Sequence, residues 1–268
     1  MPRRLGQHFL SDPAILDRIV AALDPVSDDV VLEIGPGKGA LTRRLAPAVA
    51  RVVAVERDRV LAARLRGEGA AADLGNVTVV EGDALAVDWA ALIASTESSP
   101  AARSFKVVGN IPYYITSPLI AKALAAPLPE LIVFLVQREV AERVTASPGS
   151  KVYGALSVGV QAVAAVDQVF GVRRGSFHPV PNVDSAVIRM VPLAQPLVAP
   201  AHQAEFRRFV TGLFSQRRKQ LGRALRNLLP DAAGDWREVL YRAGLRPDQR
   251  AEGAAPQELV RLFHATMR

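Results

Sequence analysis

Hydrophobic residues along the first three quarters of this chain follow two alternating patterns. Short, continuous apolar runs rich in β-branched residues are typical of buried strands, and apolar residues at three- and four-residue spacing are typical of helices. The runs predict strands at 29–34, 51–56, 76–81, 105–109, 131–136, 169–172 and 185–191. The helical spacing predicts helices at 13–23, 40–45, 116–125 and 137–144. This alternation predicts an α/β fold with a mostly parallel sheet.

The last quarter of the chain is helical in pattern throughout. Three prolines within 192–200 indicate a linker, and helices are expected at 203–214, 217–228, 235–243 and 256–265. We therefore expect a sheet domain over 1–195 and a small helical domain over 200–268. The segment 95–104 is rich in Ser, Thr, Pro and Ala and indicates a loop, whereas 155–166 is too uniformly apolar to divide between helix and strand.

Composition excludes several classes of protein. The 268 residues include no cysteine, which rules out a disulfide framework, a thiolate metal site and a cysteine nucleophile. The basic N-terminus is not followed by the apolar run of a signal peptide, and no apolar run reaches the roughly 20 residues of a membrane helix. We expect a cytoplasmic protein with no membrane contact and no metal.

The net charge of +7 is distributed unevenly. Residues 201–268 contain 13 Arg/Lys and 7 Asp/Glu, whereas residues 1–200 contain 20 and 19. This asymmetry fits a partner with a phosphate backbone, although an Arg-rich genome with solvated basic faces explains it equally well. Arg217, Arg218 and Lys219 stand at the predicted start of a helix, where cations oppose the helix dipole.

Three predicted strands end in residues that suit a nucleoside ligand. Gly35-Pro36-Gly37-Lys38-Gly39 follows the first strand, and backbone N–H groups there can approach a ligand closely. Its spacing is G-x-G-x-G rather than the dinucleotide G-x-G-x-x-G. Glu56 ends the second strand, where a carboxylate accepts from ribose hydroxyls, and Asp83 follows the third, where it can accept from the exocyclic amine of adenine.

The fourth strand runs into Asn110-Ile111-Pro112-Tyr113. The side-chain oxygen of Asn110 can accept a hydrogen bond from an NH₂ group. Pro112 disfavours helix at Ile111 and keeps the loop extended, with its carbonyls available, and Tyr113 offers a face for stacking a base. Alone, these four residues describe an ordinary proline turn. Beside the three other strand ends, they predict a site for a planar amine at the same edge of the sheet.

The ordered set of strand ends resembles class I S-adenosylmethionine methyltransferases that act on an amino group. From residue 5 to about 225 the chain is similar to the ribosomal RNA adenine N6,N6-dimethyltransferase family, in its small-subunit (16S) branch. The motifs that carry this resemblance are G-Q-H-F-L, E-I-G-P-G-K-G-A-L-T, V-E-R-D, G-D-A, N-I-P-Y-Y-I, V-F-L-V-Q-R-E-V-A-E-R, F-H-P-V-P-N-V-D-S-A-V and F-S-Q-R-R-K. Because the last motif contains Arg217, Arg218 and Lys219, the resemblance favours a role for them in binding RNA phosphates over a solvated face.

The resemblance implies a fold, an activity and a set of residue roles. It implies a Rossmann-like sheet with helices on both faces, S-adenosylmethionine as cofactor, and dimethylation of two adjacent adenines near the 3′ end of 16S rRNA in an immature small subunit. Cofactor contacts are implied for His8, Leu10, Gly35, Glu56, Asp83 and Asn110. Target-base contacts are implied for Asn110, Tyr113 and Phe177. The chain has His8 where the family more often has Asn, and Asn182 where Lys is usual.

Four other functions are open at this point. The large-subunit rRNA adenine methyltransferases of the macrolide-resistance type share the fold, but V-D-S-A-V-I-R and Q-R-R-K look more like the small-subunit branch. Glutamine-amide protein methyltransferases use a similar Asn-Pro loop but have no need of a basic helical tail. A non-enzymatic factor that senses ribosome assembly would share the basic tail. A dehydrogenase is disfavoured by the glycine spacing.

Overall fold

The structure, a computed structural model, describes residues 7–71, 74–94, 105–229 and 236–267. These residues form two compact units. One lies within 1–141 and 167–192 and is called the sheet unit here; the other lies within 142–166 and 193–268 and is called the helical unit.

Strands and helices alternate along the sheet unit, as predicted. The strands are β1 Phe9–Leu10, β2 Val30–Ile34, β3 Arg51–Glu56, β4 Val77–Glu81, β5 Phe105–Asn110, β6 Leu131–Gln137, β7 Ala164–Val172, β8 Phe177–His178 and β9 Ser185–Pro192. The helices of the whole chain are α1 Pro13–Leu23, α2 Thr42–Leu45, α3 Arg59–Ala71, α4 Trp89–Ala94, α5 Thr116–Ala123, α6 Arg138–Val144, α7 Ala155–Gln161, α8 Gln203–Ser215, α9 Leu221–Leu228, α10 Trp236–Arg242 and α11 Pro256–Thr266.

Seven strands form one sheet in the order β4-β3-β2-β5-β6-β9-β7. The first five run parallel, and β9 is antiparallel to β6. Central Leu32 of β2 pairs with Val53 on one side and Val107 on the other. The strand order reverses between β2 and β5, and ligands bind at the carboxyl ends of the strands beside such a reversal. The predicted α/β fold with a mostly parallel sheet is confirmed.

Burial explains why these segments form strands and why α1 covers them. All five residues of β2 and the first six of β6 are buried, which matches their uninterrupted apolar sequence. Helix α1 places Leu16, Ile19 and Leu23 in the same hydrophobic core as the strands. Asp12 caps α1, because its carboxylate accepts from the backbone N–H groups of Ala14 and Ile15. The predicted bounds of this helix, 13–23, are confirmed.

Other elements were not predicted from the sequence. Helix α3 has a weak apolar pattern. Among its residues whose burial the structure describes, only Ala62 and Leu65 are buried, so its periodicity gives little signal. Helix α4 and the two-residue strands β1 and β8 are too short to show a period. The segment 155–166 divides into α7 and the start of β7. The loop expected at 95–104 lies outside the described residues.

The helical unit packs around aromatic rings. The ring of Phe263 on α11 lies 5.4 Å from that of Phe206 and 5.5 Å from that of Phe209, both on α8. Fully buried Tyr153 donates its hydroxyl proton to the carbonyl of Ala254. These contacts bury apolar area, and the buried Tyr153 hydroxyl has a hydrogen-bond partner.

Residues 142–166 group with the helical unit, although the sequence placed them in a domain over 1–195. Helix α7 packs on α8, and Gln161 donates to the carbonyls of Val144 and Ala146, which closes the segment on itself. The segment has a single proline, Pro148, and no run of charges, so composition gave no sign of its grouping. Within the described residues, no helix has both the length and the apolar character needed to cross a bilayer.

Candidate active site

The glycine loop 35–39 follows β2 and turns sharply into the residues before α2. Gly35 and Gly37 have φ values of 67° and 57°, in the left-handed region that glycine adopts without strain. A Cβ added to Gly37 would lie 3.0 Å from the ring of Phe9. The Nζ atom of Lys38 lies 4.8 Å from the centroid of the same ring. The N-terminal segment therefore packs closely on the glycine loop.

Glu56 ends β3 and is bound to the glycine loop. Its carboxylate accepts from the backbone N–H of Gly37 at 3.0 Å and from that of Asp58 at 2.8 Å, and its side chain is buried. Burial raises the pKa of this carboxyl, and the two N–H groups offset part of that rise. Each carboxylate oxygen retains a second acceptor site, so the pair can receive two hydroxyl groups from one ligand.

Glu33 is a second buried acid of this site, and the sequence assigned it no role. It lies inside β2 and accepts a hydrogen bond from the Thr42 hydroxyl at 2.6 Å. Burial raises the pKa of Glu33 to about 7, with a smaller contribution from the negative charge of Glu56. An acid inside an otherwise apolar strand was the only signal for it in the sequence.

Asp83 follows β4 at the same edge of the sheet. One oxygen accepts from the backbone N–H of Leu85 at 2.9 Å, which fixes the carboxylate. The other lies 3.4 Å from a guanidinium nitrogen of Arg57. This arrangement leaves acceptor capacity for an exocyclic amine, and the contact with adenine stays a prediction for Asp83.

Asn110 is held by the N-terminal segment. Its side-chain NH₂ donates to the backbone carbonyl of His8 at 2.9 Å, which leaves the amide oxygen as the acceptor available to a ligand. The backbone N–H of Ile111 donates to the carbonyl of Leu135 and extends the pairing of β5 with β6. Pro112 is extended, with φ −57° and ψ 130°, before the short turn Tyr113–Ile115. The loop conformation is the one expected from its proline.

Tyr113 is held at both ends of its side chain. Its hydroxyl lies 2.9 Å from the hydroxyl of fully buried Ser185 on β9. Its ring stacks with the ring of His8, with centroids 6.0 Å apart and planes at 27°. His8 in turn donates from Nδ1 to the carbonyl of Pro179 at 2.8 Å. The role of Ser185 was missed, because it depends on β9 returning antiparallel beside β6.

Phe177 does not join this cluster. Its side chain is 3% exposed and belongs to the hydrophobic core. The cause is the antiparallel pair of β1 and β8, in which Phe177 lies opposite Leu10, another core residue. The expected stacking of a base between Tyr113 and Phe177 is therefore absent from this conformation. It stays a prediction that requires the Phe177 ring to leave the core.

The other predicted residues of the sheet unit line one cleft. Carboxylates stand on one side of it and the Asn110 loop on the other, with apolar walls between them, a donor and acceptor set that fits an adenosine carrying an amino-acid chain. The predicted residues that line the cleft are His8, Leu10, Gly35, Glu56, Asp83, Asn110, Ile111, Pro112 and Tyr113. Within the described residues, no cluster of three His, Asp or Glu side chains is arranged to hold a metal ion.

The predicted cations of the helical unit lie in a turn, so the helix start expected at 217 is wrong. Helix α9 begins at Leu221, because Gln220 is extended and bridges Arg250. Arg217 makes contacts within the helical unit: it forms an ion pair with Glu252 at 2.5 Å and donates to the carbonyl of Lys151 at 2.7 Å. Arg218 is exposed, and exposed Lys219 donates to Gln216.

Comparison with known proteins agrees with this geometry. A family model described as ribosomal RNA adenine dimethylase matches residues 2–266. The chain belongs to this family. As a ribosomal RNA adenine dimethylase it is an rRNA adenine dimethyltransferase, and its cofactor is S-adenosylmethionine. The resemblance found in the sequence motifs is thereby confirmed.

Relatives of this dimethylase match over nearly its whole length. It is 43% identical to the ribosomal RNA small subunit methyltransferase A of Acidithiobacillus ferrooxidans, over 99% of this chain and 94% of that protein. A protein of the same name from Geobacter metallireducens is also 43% identical, over 99% and 95%.

Two solved structures share the fold across both chains. A dimethyladenosine transferase from Plasmodium falciparum superposes with a TM-score of 0.80 at 27% identity, covering 96% of each chain. The 23S rRNA methyltransferase ErmE superposes with a TM-score of 0.71 at 30% identity, covering 97% of this chain and 100% of its own. The class I methyltransferase fold predicted from the sequence is confirmed.

Proposed function

We propose that this enzyme dimethylates the N6 atoms of two adjacent adenines near the 3′ end of small-subunit (16S) rRNA, in an immature small subunit in the cytoplasm. The observation that carries the proposal is the Asn110 loop at the cleft: an amide fixed by His8, followed by a tyrosine anchored on Ser185. Full-length similarity to proteins named ribosomal RNA small subunit methyltransferase A supports the choice of substrate.

The proposed chemistry follows from the electronics of adenine. Its N6 lone pair is delocalised into the ring, which makes the amine a poor nucleophile. If the Asn110 side-chain oxygen and the Ile111 carbonyl accept the two N6 hydrogens, they favour a tetrahedral nitrogen and localise that lone pair. S-Adenosylmethionine supplies the electrophilic methyl group. Fixing the amine in line with it lowers the barrier without a covalent nucleophile. The transfer would leave S-adenosylhomocysteine and a cationic N6, which then loses one hydrogen as a proton.

The cofactor contacts are proposed from the groups that line the cleft. Glu56 accepts from the two ribose hydroxyls with the acceptor sites that the glycine loop leaves open. Asp83 accepts from the adenine amine, and Gly35 lets the chain approach the ligand without a side chain in the way. His8 and Leu10 close the cleft from the N-terminal side, where His8 also holds Asn110.

The target base is proposed to enter unstacked and to pack on Tyr113. Enzymes that modify a base must take it out of its stack, and an aromatic side chain replaces part of the lost stacking. In this conformation Tyr113 supplies one such face. Arg218 and Lys219 of the helical unit are proposed to bind rRNA phosphates.

One assay tests the substrate. The enzyme is incubated with labelled S-adenosylmethionine and undermethylated small subunits or large subunits, and the modified nucleotides are mapped. We expect label on two adjacent adenines near the 3′ end of the small-subunit rRNA. Label confined to large-subunit rRNA would instead support the macrolide-resistance type of function, which the similarity to ErmE keeps as the alternative.

A variant tests the role of Tyr113 in the same assay. Tyr113→Ala should lose most turnover while S-adenosylhomocysteine affinity, measured by calorimetry, is retained, because the ring is proposed to contact the base. Tyr241→Ala, which removes an exposed tyrosine of the helical unit, serves as the matched control. Unchanged turnover in Tyr113→Ala would remove the stacking role.

A further inference from the structure

A second aromatic residue stands at the mouth of the cleft. Tyr114 directly follows Tyr113 in the turn after Pro112 and also lines the cleft, but 58% of its surface is exposed. The hydroxyl groups of the two neighbours have different partners, since that of Tyr113 contacts buried Ser185 and that of Tyr114 contacts the exposed side chain of Arg57. A large aromatic side chain left in solvent beside an active site has an unused stacking face.

A guanidinium stands next to that face. Arg57 follows Glu56 at the end of β3, and its side chain is 52% exposed. One of its terminal nitrogens lies 3.4 Å from the Tyr114 hydroxyl and 3.4 Å from a carboxylate oxygen of Asp83. A guanidinium carries five N–H donors, so Arg57 retains donors for an incoming anion while these two contacts hold it in place.

We propose that Tyr114 and Arg57 form a subsite for the nucleotide that flanks the target adenine in the RNA. Tyr114 stacks with the flanking base, and Arg57 binds the neighbouring phosphate. Single-stranded RNA is recognised by this combination of an aromatic face and a cation. The inference rests on the proposed function, because it requires RNA as the substrate of the adjoining cleft.

The position of the subsite suits consecutive nucleotides. Tyr113 and Tyr114 are adjacent in the chain and both line the cleft, so their rings can serve neighbouring bases of one strand. Because an RNA strand has a direction, the subsite receives the neighbour on one side of the target base only, so one adenine of an adjacent pair places the other in it. The subsite thereby favours substrates in which the target base has an unpaired neighbour able to stack.

The stacking role is tested with two variants of one residue. Undermethylated small subunits are methylated by wild type, Tyr114→Ala and Tyr114→Phe, and calorimetry measures S-adenosylhomocysteine affinity. We expect Tyr114→Ala to lower kcat/KM about fivefold or more, mainly through KM, as the loss of one stacked base predicts. Cofactor affinity should stay unchanged. Tyr114→Phe should remain within about twofold of wild type, because it keeps the ring.

Two results would overturn the stacking role. One is wild-type kcat/KM in Tyr114→Ala, and the other is an equal loss in Tyr114→Phe and Tyr114→Ala, which would assign the effect to the hydroxyl group alone. Failure of the subsite is distinguishable from failure of the proposed function. If the wild-type enzyme leaves small subunits unmethylated, the proposed function fails. If the wild-type enzyme methylates them and Tyr114→Ala does so with the same kcat/KM, only the subsite fails.

The phosphate contact is tested through salt dependence. Arg57→Gln should flatten the slope of log affinity for small subunits against log salt by about 1, because one phosphate contact is lost. Arg64→Gln is the matched control, since Arg64 is an exposed arginine of the sheet unit, 60% exposed and paired with Glu68. An equal slope for Arg57→Gln and wild type would remove Arg57 from the subsite.

Discussion

At the scale of single residues, the contact between Tyr113 and Ser185 links the proposed base-stacking ring to the sheet. Ser185 is fully buried at the start of β9, and its hydroxyl lies 2.9 Å from that of Tyr113. Ser185→Ala removes this anchor, so we expect turnover to fall about two- to tenfold, the range of one hydrogen bond, with S-adenosylhomocysteine affinity retained. Methylation kinetics and calorimetry measure the two quantities.

A double-mutant cycle separates this positioning role from a loss of stability. Tyr113→Phe removes the other half of the same contact, so it should cost about as much turnover as Ser185→Ala. The double variant should then cost little more than either single variant. Additive losses, or a fall in the thermal midpoint that accounts for the lost activity, would contradict the proposed role of Ser185.

At the scale of elements, the close approach of β2 and β5 depends on Gly109. A Cβ at this position would lie 2.5 Å from the backbone carbonyl oxygen of Ile34 and 3.1 Å from its side chain. Backbone cannot move aside as a flexible side chain can, so Gly109→Ala should force the two central strands apart. We expect a loss of about 1–3 kcal/mol or more in the free energy of unfolding, measured by denaturant titration.

Gly67→Ala is the matched control for this substitution. Gly67 lies on exposed α3, where an added Cβ meets no atom within 4 Å. Alanine favours a helix interior over glycine by about 0.5–1 kcal/mol, so this variant should be as stable as wild type or more so. Equal stability of Gly109→Ala and wild type would show that the strands can separate without cost.

Elements were predictable from the sequence where the periodic signal is long or buried. The five parallel strands and α1 carry their own apolar patterns and caps, and their predicted bounds lie within one or two residues of the observed ones. The pair β1 and β8 consists of two residues on each side and exists only because Leu10 and Phe177 meet across the fold. No local pattern encodes such a pair, so nothing in the sequence indicated that Phe177 is buried in this conformation, and the base contact that the family resemblance implies for it stays a prediction.

The candidate site shows the same division between local and distant causes. Glu56, Asp83 and Asn110 each lie at the carboxyl end of a parallel strand. The carboxyl ends of neighbouring parallel strands lie at the same edge of the sheet, so the sequence could place these residues together. Ser185 and Arg57 depend instead on which distant groups lie opposite them. Chain order says nothing of such pairs, so these two residues became visible only in the folded protein.

At the scale of the whole molecule, the excess positive charge lies in the last quarter of the chain, but its members are not equivalent. Arg217 contacts Glu252 and the carbonyl of Lys151, both within the helical unit. Arg218 is exposed. A charge count from the sequence treats the two arginines alike. In the structure, Arg217 holds parts of the helical unit together, whereas Arg218 is exposed to solvent. Structural support and the proposed phosphate binding are thus assigned to neighbouring residues.

A matched pair of substitutions separates these roles. Arg217→Gln should lower the thermal midpoint of the protein, because Glu252 and the carbonyl of Lys151 lose a charged, partly buried donor, at a cost of about 1–3 kcal/mol. Arg218→Gln should leave the midpoint unchanged and flatten the salt dependence of small-subunit binding by about 1. Filter binding over a range of salt concentrations and thermal unfolding measure both quantities. An unchanged salt slope in Arg218→Gln would mean that this turn does not contact the rRNA backbone.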